Sequence, residues 1–224
     1  MFPTPSTPLH ASFPSENLTI GAGVAIFHLA SASCVLCYHS RDKYWFLPKG
    51  RKNANEDVRR AAEREGFEES GYRNRLLPVP FGHRQTDSDE GREEFVTEAV
   101  WCQMMPVGRA SQYLLFWFVA ETVPEEVERG YWGAEVGREY RPPAAFPRDL
   151  TLERRIGVDE ATGYRPIRHP GTGVDEDELM YESYLLPIEQ AMRKLRGSVM
   201  EDVVRRGWKA VLLRREMEAR TAPK

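Results

Sequence analysis

The sequence predicts an α/β fold because runs typical of buried strands alternate with a segment typical of a capped helix. Two short β-rich runs, 21–28 and 33–39, are joined by Leu-Ala-Ser-Ala in the pattern of a hairpin. A continuous apolar and aromatic run at 113–120 is typical of a strand buried on both faces. Residues 56–70 have the acidic first turn of a helix, and Gly71 is placed to end it.

A short aromatic run predicts the strand and turn that precede this helix. Residues 44–47 read Tyr-Trp-Phe-Leu, and the following Pro48 and Gly50 are residues that end a strand and begin a turn. Residues 51–55 are polar, and Asn55 is the predicted N-cap of the helix. The chain is therefore expected to pass directly from strand through turn to helix.

Later elements are predicted by the same signals. Strands are predicted at 94–102 and 181–186, and Pro187 suits the first turn of a short helix. Ser198 and Glu201 have the spacing of a capping box for a final helix. The apolar stripe of that helix consists of Val199, Val203, Trp208, Val211 and Leu212.

The chain is predicted to form one large domain preceded by a tail. Residues 1–18 are expected to be a disordered N-terminal tail, because the first 16 include four prolines and no Lys or Arg. Residues 19–224 form the predicted domain, which contains an insertion at about 124–180. That insertion is rich in Gly, Pro and charge and is long for a plain loop, so it is either a functional lid or partly disordered.

Composition excludes several classes of partner. The chain of 224 residues is 41% hydrophobic and 29% charged, and no run approaches the roughly 18 apolar residues of a membrane span, so no membrane partner is expected. A net charge of -3 argues against duplex nucleic acid. Three cysteines, with Cys34 and Cys37 expected as buried strand thiols rather than zinc ligands, indicate a reducing compartment. The cytoplasm is predicted, with the nucleus as the alternative.

Three glutamates share one face of the predicted helix. Glu65, Glu68 and Glu69 are spaced i, i+3 and i+4, so their carboxylates project within an arc of roughly 100°. Like charges placed in this way repel, whereas a divalent ion such as Mg²⁺ prefers oxygen ligands from a few carboxylates. The cluster therefore indicates a metal site, and the alternative on these three residues alone is a solvated acidic face.

A wider pattern around these glutamates resembles the Nudix box. Its fixed positions, written G-x5-E-x7-R-E-U-x-E-E-x-G-U with U a bulky apolar residue, are matched by Gly50, Glu56, Arg64, Glu65, Glu68, Glu69 and Gly71. Gly66 departs from the pattern at a U position. Glycine there is expected to weaken the helix by up to about 1 kcal/mol relative to alanine and to remove a core-facing side chain.

The resemblance implies a fold, a reaction and a set of roles. The fold is an α/β/α sandwich with a mixed sheet, and the reaction is hydrolysis of a phosphoanhydride bond with Mg²⁺, or with Mn²⁺ as the alternative. Glu65 and Glu69 are the implied principal metal ligands and either is the implied general base, while Glu68 is implied to assist metal binding through a second ion or a water. Arg64 is implied to orient Glu65, and the carbonyl of Lys49 to complete the metal site. Glu56 is implied to be structural.

Many relatives add a metal-binding acid from a later loop, and two residues are candidates for it. Glu178 and Glu182 precede or begin the last predicted strand, and a solvated acidic cluster is the alternative. Cations at the turn are candidates for binding substrate phosphates, namely Lys49, Arg51 and Lys52. Trp45 is the candidate for stacking on a base, and strand alternation allows only one of Tyr44 and Trp45 to do so.

The expected substrate is a small polyphosphorylated molecule. Pro48-Lys49-Gly50 resembles the box of diadenosine polyphosphate hydrolases and of relatives that act on diphosphoinositol polyphosphates. A dinucleoside polyphosphate is the preferred substrate, and a diphosphoinositol polyphosphate is the alternative. A Nudix-like module that binds a phosphate ligand without cleaving it is the alternative of another class. The insertion and the long final helix are candidate surfaces for a homodimer.

Overall fold

A mixed sheet flanked by helices on both faces organises the computed structural model, which describes residues 5–86, 91, 93–131, 140–176 and 178–221. The strands in this part of the chain are β1 Leu18–His28, β2 Ser33–His39, β3 Tyr44–Phe46, β4 Lys49–Arg51, β5 Asn74–Leu76, β6 Trp101–Val107, β7 Ser111–Thr122 and β8 Tyr181–Pro187. The helices are α1 Val58–Ser70, α2 Glu125–Arg129, α3 Leu152–Thr162, α4 Ile188–Lys194 and α5 Val199–Thr221. Short 3-10 turns lie at Ser15–Asn17 and Glu178–Met180.

Strand β1 is the central strand of the sheet. It pairs parallel with β7 over its length and antiparallel with β2 and with the short β4. Strand β2 also pairs with β3 and β8, and β7 also pairs with β5 and β6. The predicted hairpin, the strand at 113–120 and the last strand are therefore confirmed.

Residues of β1 alternate between two hydrophobic clusters, one on each face of the sheet. Val24 and Ile26 belong to the cluster that also contains Ala61 and Ala62 of α1. Phe27 belongs to the opposite cluster, whose helical members come from α3, α4 and α5. This arrangement confirms the α/β/α sandwich with a mixed sheet, because burial of both sheet faces requires helices on each side.

The N-terminus of α1 differs from the prediction. Asp57, not Asn55, is the N-cap, and its side chain accepts a hydrogen bond of 2.9 Å from the backbone N–H of Arg59. Asn55 has a φ of 63° and lies in the preceding turn, where the left-handed backbone cannot serve as a cap. The C-terminus is as predicted, since Gly71 is the C-cap with a φ of 73° and its N–H donates to the carbonyl of Phe67.

Gly66 faces the sheet, as expected of its box position, but there is no space there for a larger side chain. A Cβ atom at Gly66 would lie 2.6 Å from Nδ2 of Asn74 and 2.9 Å from Cγ1 of Val24. Glycine at this position therefore does not leave a gap in the core, as the sequence had suggested. The helix packs against β1 and β5 through its backbone, and no side chain is missing there.

The strand predicted at 94–102 was placed too early in the chain. Strand β6 begins at Trp101 and ends at Val107, and within 94–100 the chain forms an isolated bridge between Val96 and Val79. The turn that follows contains Gly108 at a φ of 71° and joins β6 to β7. The prediction failed because β6 is an edge strand with alternating exposure, which gives a weak apolar signal.

The described parts of the insertion pack into the domain. Leu152 and Ile156 of α3 are buried in the larger hydrophobic cluster. Arg155 of α3 also forms buried ion pairs of 2.8 Å with Glu121 of β7 and with Asp159. The alternatives of a lid or a partly disordered segment do not describe these residues, and 132–139 lie outside the described part of the chain.

The N-terminal residues, the cysteines and the helices bear on the remaining predictions. Residues 5–14 are mostly exposed and lack regular secondary structure, while β1 begins at Leu18. Cys34 and Cys37 are buried and unpaired, as expected of strand thiols. Within the described residues, no helix is both long enough and apolar enough to cross a bilayer. The cytoplasm as compartment stays a prediction.

Candidate active site and metal centre

Three carboxylates converge where the C-terminal half of α1 meets the segment before β8. Glu65 and Glu69 lie one helical turn apart on α1, and Glu178 begins the 3-10 turn at Glu178–Met180. One carboxylate oxygen from each lies within 4.8 Å of the others. The helix spacing explains why the first two are neighbours, whereas the third comes from more than a hundred residues later in the chain.

Glu178 is held in this position by its own loop. Its Oε2 accepts a hydrogen bond of 2.6 Å from the backbone N–H of Val174, and its own N–H donates to Oδ1 of Asp175 at 2.9 Å. Glu182 lies on the opposite face of β8, where the hydroxyl of Tyr184 donates to its carboxylate. Of the two candidate acids, the structure therefore brings only Glu178 to the cluster.

Arg64 links the other fixed acids of the box. Its Nη1 donates to Oε1 of Glu65 at 2.8 Å and to Oε2 of Glu68 at 2.7 Å. Its Nε and Nη2 bind both oxygens of Glu56 at 2.8 and 2.9 Å, and Nη2 also donates to the carbonyl of Arg51. Arg64 therefore contacts Glu65, and its orienting role stays a prediction. Glu68 binds the same guanidinium and is not one of the three clustered carboxylates.

The turn before α1 contacts the carboxylates through its backbone. The N–H of Lys49 donates to Oε2 of Glu69 at 2.7 Å. A Cβ atom at Gly50 would collide with the carboxylate of Glu65, so only glycine allows this approach. The carbonyl of Pro48 accepts a hydrogen bond from the N–H of Val24, and Gly50 lies opposite Ala22. Because carbonyl directions alternate along a strand, the carbonyl of Lys49 points away from β1.

Burial changes the acidity of the clustered carboxyl groups. Burial, followed by the neighbouring charges, raises the pKa of Glu69 to about 8, although the N–H of Lys49 and its ammonium act in the opposite direction. Burial likewise raises the pKa of Glu65 to about 7 against the effect of Arg64. Buried carboxylates that repel one another are costly without a cation. The donor set of three oxygens therefore fits a hard divalent ion.

The predicted phosphate-binding cations lie in or beside β4, whose backbone at Lys49 and Gly50 approaches Glu69 and Glu65. Nζ of Lys49 lies 5.8 Å from the ring centre of Phe46, and Nζ of Lys52 donates to the carbonyl of Asn53 at 2.9 Å. The Arg51 side chain is exposed.

The two aromatic candidates of β3 face opposite sides of the sheet. Trp45 packs against Tyr38, Tyr184 and the ammonium of Lys194, on the face covered by α4. Tyr44 is 46% exposed and stacks on His39 with ring centres 5.2 Å apart. His39, Phe46 and Tyr181 share the α1 face with Tyr44, so an aromatic row connects Tyr44 to the carboxylate side of the sheet. The placement favours Tyr44 over Trp45 for contact with a ligand at that site.

A cavity of about 110 Å³ adjoins the carboxylates and contains residues that the sequence did not indicate. It is lined by Glu68, Glu69, Ser70, Arg168, His169, Gly171, Thr172, Gly173, Glu178 and Tyr181. Tyr113 is a further unexpected residue, since its hydroxyl donates to the carbonyl of Gly50 at 2.9 Å. No local sequence pattern relates residues 168–173 to a helix a hundred positions earlier, so only the folded chain identifies them. A larger groove of about 670 Å³ lies elsewhere and contains none of the three clustered carboxylates.

The chain was compared with protein-family models, curated sequences and solved structures. Residues 19–155 match the family model described as the NUDIX domain. Among solved structures, an Ap4A hydrolase from C. elegans is similar at 13% identity and a TM-score of 0.45, covering 87% of this chain and 98% of that one. A NUDIX hydrolase from Nitrosomonas europaea is similar at 12% identity and a TM-score of 0.43, covering 85% and 88%. No curated protein sequence matches the chain significantly.

Proposed function

This chain belongs to the Nudix family and is a hydrolase that acts on phosphoanhydrides, and we propose that its substrate is a dinucleoside polyphosphate of the diadenosine tetraphosphate type. The observation that carries the catalytic part of the proposal is the convergence of Glu65, Glu69 and Glu178 within 4.8 Å. The observation that favours a nucleotide is the exposed aromatic ring of Tyr44 on the same face of the sheet.

The proposed cofactor is Mg²⁺, held by Glu65, Glu69 and Glu178 with the carbonyl of Lys49 as a further ligand. Support comes from the all-oxygen donor set and from the raised pKa values of Glu65 and Glu69, which are caused first by burial and then by the neighbouring carboxylates. When bound, a magnesium ion neutralises phosphate oxygens and lowers the pKa of a coordinated water. Mn²⁺ has the same preference for oxygen ligands and is the alternative.

The protein residues then have separate tasks. Arg64 fixes the carboxylate of Glu65 through its Nη1, and this bond limits the rotation of a side chain that must hold its ligand position. Glu65 or Glu69 is the proposed acceptor of the proton of the attacking water, because both carboxylates lie in the cluster where that water would be bound. Glu68, bound to Arg64, supports this arrangement from outside the cluster.

The substrate assignment combines charge with an aromatic surface. Lys49, Arg51 and Lys52 supply cations beside the carboxylates and suit a chain of phosphates. Tyr44 offers the flat ring on which a base can stack, and this contact is worth about 1–3 kcal/mol in nucleic acid-binding proteins. Trp45, the residue predicted from the sequence, packs on the other face, so in the proposal Tyr44 takes its place.

A diphosphoinositol polyphosphate is the second candidate substrate. Lys49, Arg51 and Lys52 suit its phosphates as well as they suit those of a dinucleoside polyphosphate. The inositol substrate needs cations but no aromatic partner, so the role of Tyr44 distinguishes the two. The non-catalytic binding module is disfavoured because the chain keeps all three box glutamates and adds Glu178. A homodimer stays a prediction.

The experiment is a substrate panel assayed with Mg²⁺ and with products identified by mass. Diadenosine tetraphosphate, a diphosphoinositol polyphosphate, capped RNA and a nucleotide sugar are compared at equal concentration. We expect the first to be cleaved fastest and Glu69→Gln to reduce its turnover by about a hundredfold or more. Tyr44→Ala is expected to raise KM for the dinucleotide alone, with Trp45→Ala, after a check of folding, as its matched comparison. Cleavage that persists in Glu69→Gln would overturn the mechanism, and preference for the inositol substrate would overturn the assignment.

A further inference from the structure

We propose that Arg168 is a specificity-determining residue that binds a phosphate group beyond the two joined by the scissile bond. The site then prefers substrates with three or more phosphates in a row. The inference rests on the proposed function for the position of the scissile bond, but it concerns a residue that lies outside the Nudix box and inside the insertion.

The guanidinium of Arg168 is held by one of its three nitrogens. Its Nε donates to Oγ of Ser183 at 2.6 Å, and that hydroxyl in turn donates to the carbonyl of Ser70 at 2.5 Å. The backbone of Arg168 forms an antiparallel bridge with Tyr72, directly after α1. The side chain is therefore anchored to both β8 and the end of the box helix, which reduces the entropy lost when it binds a ligand.

Arg168 lines the 110 Å³ cavity together with Glu69 and Glu178, two of the three clustered acids. Arg168 is exposed, and within the described residues the contact found for its guanidinium is the bond to the Ser183 hydroxyl rather than an ion pair. Arg64 of the box, by contrast, is engaged by three carboxylates and by the carbonyl of Arg51. The anchoring bond uses Nε, so both Nη groups remain for a planar, two-pronged contact of the kind that arginine makes with phosphate.

The positions of the cations explain why the bound phosphate would be a distal one. Lys49, Arg51 and Lys52 are not among the residues that line this cavity, and they lie on the β4 side of the carboxylates. Arg168 lies on the β8 side. A substrate that contacts cations on both sides must extend across the carboxylates, and a chain of several phosphates does so better than a single pyrophosphate group.

Binding of inorganic ligands tests this without requiring turnover. Titration calorimetry compares tripolyphosphate with pyrophosphate, each with Ca²⁺, for the wild type, Arg168→Gln, Arg168→Lys and Arg165→Gln. We expect Arg168→Gln to weaken tripolyphosphate binding by about tenfold and pyrophosphate binding by less than about twofold. Lysine is expected to restore only part of the affinity, because a point charge lacks the two-pronged geometry. Arg165→Gln removes the same charge from an exposed position in the same segment and is expected to change neither.

Steady-state kinetics separates specificity from a structural effect. On diadenosine tetraphosphate, Arg168→Gln should raise KM by about tenfold with kcat within about twofold, and thermal unfolding should show no more than the small loss from one broken hydrogen bond. Equal losses for both inorganic ligands, or no loss for either, would overturn the inference. A wild type that binds tripolyphosphate through Arg168 but cleaves no dinucleotide would instead overturn the proposed substrate while leaving the inference intact.

Discussion

The carbonyl oxygen of His169 occupies the space that a Cβ atom would need at Gly71. The His169 N–H also donates to the carbonyl of Gly71 at 2.8 Å, so the insertion is joined to the end of α1 at this point. Oγ1 of Thr172 adds a bond of 2.8 Å to the carbonyl of Glu68. The same segment continues to Glu178. Gly71 therefore both ends α1 and leaves room for the segment that contains the third clustered carboxylate.

Gly71→Ala is expected to weaken metal binding as well as stability. The left-handed backbone at a φ of 73° alone costs alanine about 1–2 kcal/mol, and the collision with His169 displaces the segment that leads to Glu178. Gly163→Ala is the matched control, since Gly163 is also a helix C-cap with a φ of 64° but has open space around it. Urea unfolding and Mn²⁺ titration should show a stability loss in both variants and a loss of affinity only in Gly71→Ala. Equal Mn²⁺ affinities in the two variants would contradict the link between Gly71 and the position of Glu178.

Gly66→Ala is expected to destabilise the protein even though alanine is the better helix former. The gain of about 1 kcal/mol in helix propensity is outweighed because the new methyl group would meet Asn74 and Val24 at 2.6 and 2.9 Å. Gly157→Ala in α3 has nothing within 4 Å and should stabilise by up to about 1 kcal/mol. Chemical denaturation of both variants measures the difference, and stabilisation of both would show that α1 tolerates a side chain here.

Glu178→Gln and Glu182→Gln test which late acid serves the metal. The first variant should raise the Mg²⁺ concentration for half-maximal activity by about tenfold or more, because it removes a charged oxygen from the cluster. The second should leave it unchanged, since Glu182 contacts Tyr184 on the other face of β8. Activity measured as a function of Mg²⁺ concentration distinguishes the variants, and equal requirements would remove Glu178 from the site.

Metal binding is expected to strengthen with pH and to release protons. Burial raises the pKa of Glu69 from 4.5 to about 8 and that of Glu65 from 4.5 to about 7, so without metal both retain protons that the unfolded chain has lost. The folded state binds more protons between about pH 4.5 and 8, and these two groups therefore lower stability progressively as pH rises through that window. A divalent ion binds the ionised forms and reverses this loss. Calorimetry at pH 6.5 in buffers of different ionisation enthalpy should detect the released protons, and identical heats in all buffers would contradict the shifts.

Glu121→Gln is expected to cost about 3–5 kcal/mol, because it leaves buried arginines without their carboxylate. Glu121 pairs with Arg75 at 2.7 Å and with Arg155 at 2.8 Å, and all three are buried. Glu153→Gln breaks a pair with Arg215 that is largely exposed and should cost less than about 1 kcal/mol. Thermal and urea unfolding compare the two. Similar small losses would show that the buried network does not fasten α3 to the sheet.

The sequence by itself determined the features that are set by neighbours along the chain. Helical spacing placed Glu65 and Glu69 on one face of α1, and Gly71 marked the end of that helix. Strand alternation correctly separated Tyr44 from Trp45, although it did not indicate which of the two shares a face with the carboxylates. These properties depend on backbone geometry over a few residues, which the residue types control directly.

Only the tertiary structure brought Glu178 rather than Glu182 to the carboxylate cluster, placed Arg168 in the cavity and showed that Gly66 has no room for a side chain. It also replaced an expected lid or disordered segment with packed helices, because α3 buries Leu152 and an ion-pair network against the sheet. Such contacts join residues that are far apart in the chain. Their geometry is set by how the insertion packs against α1 and β8, and no local pattern of residues records that packing.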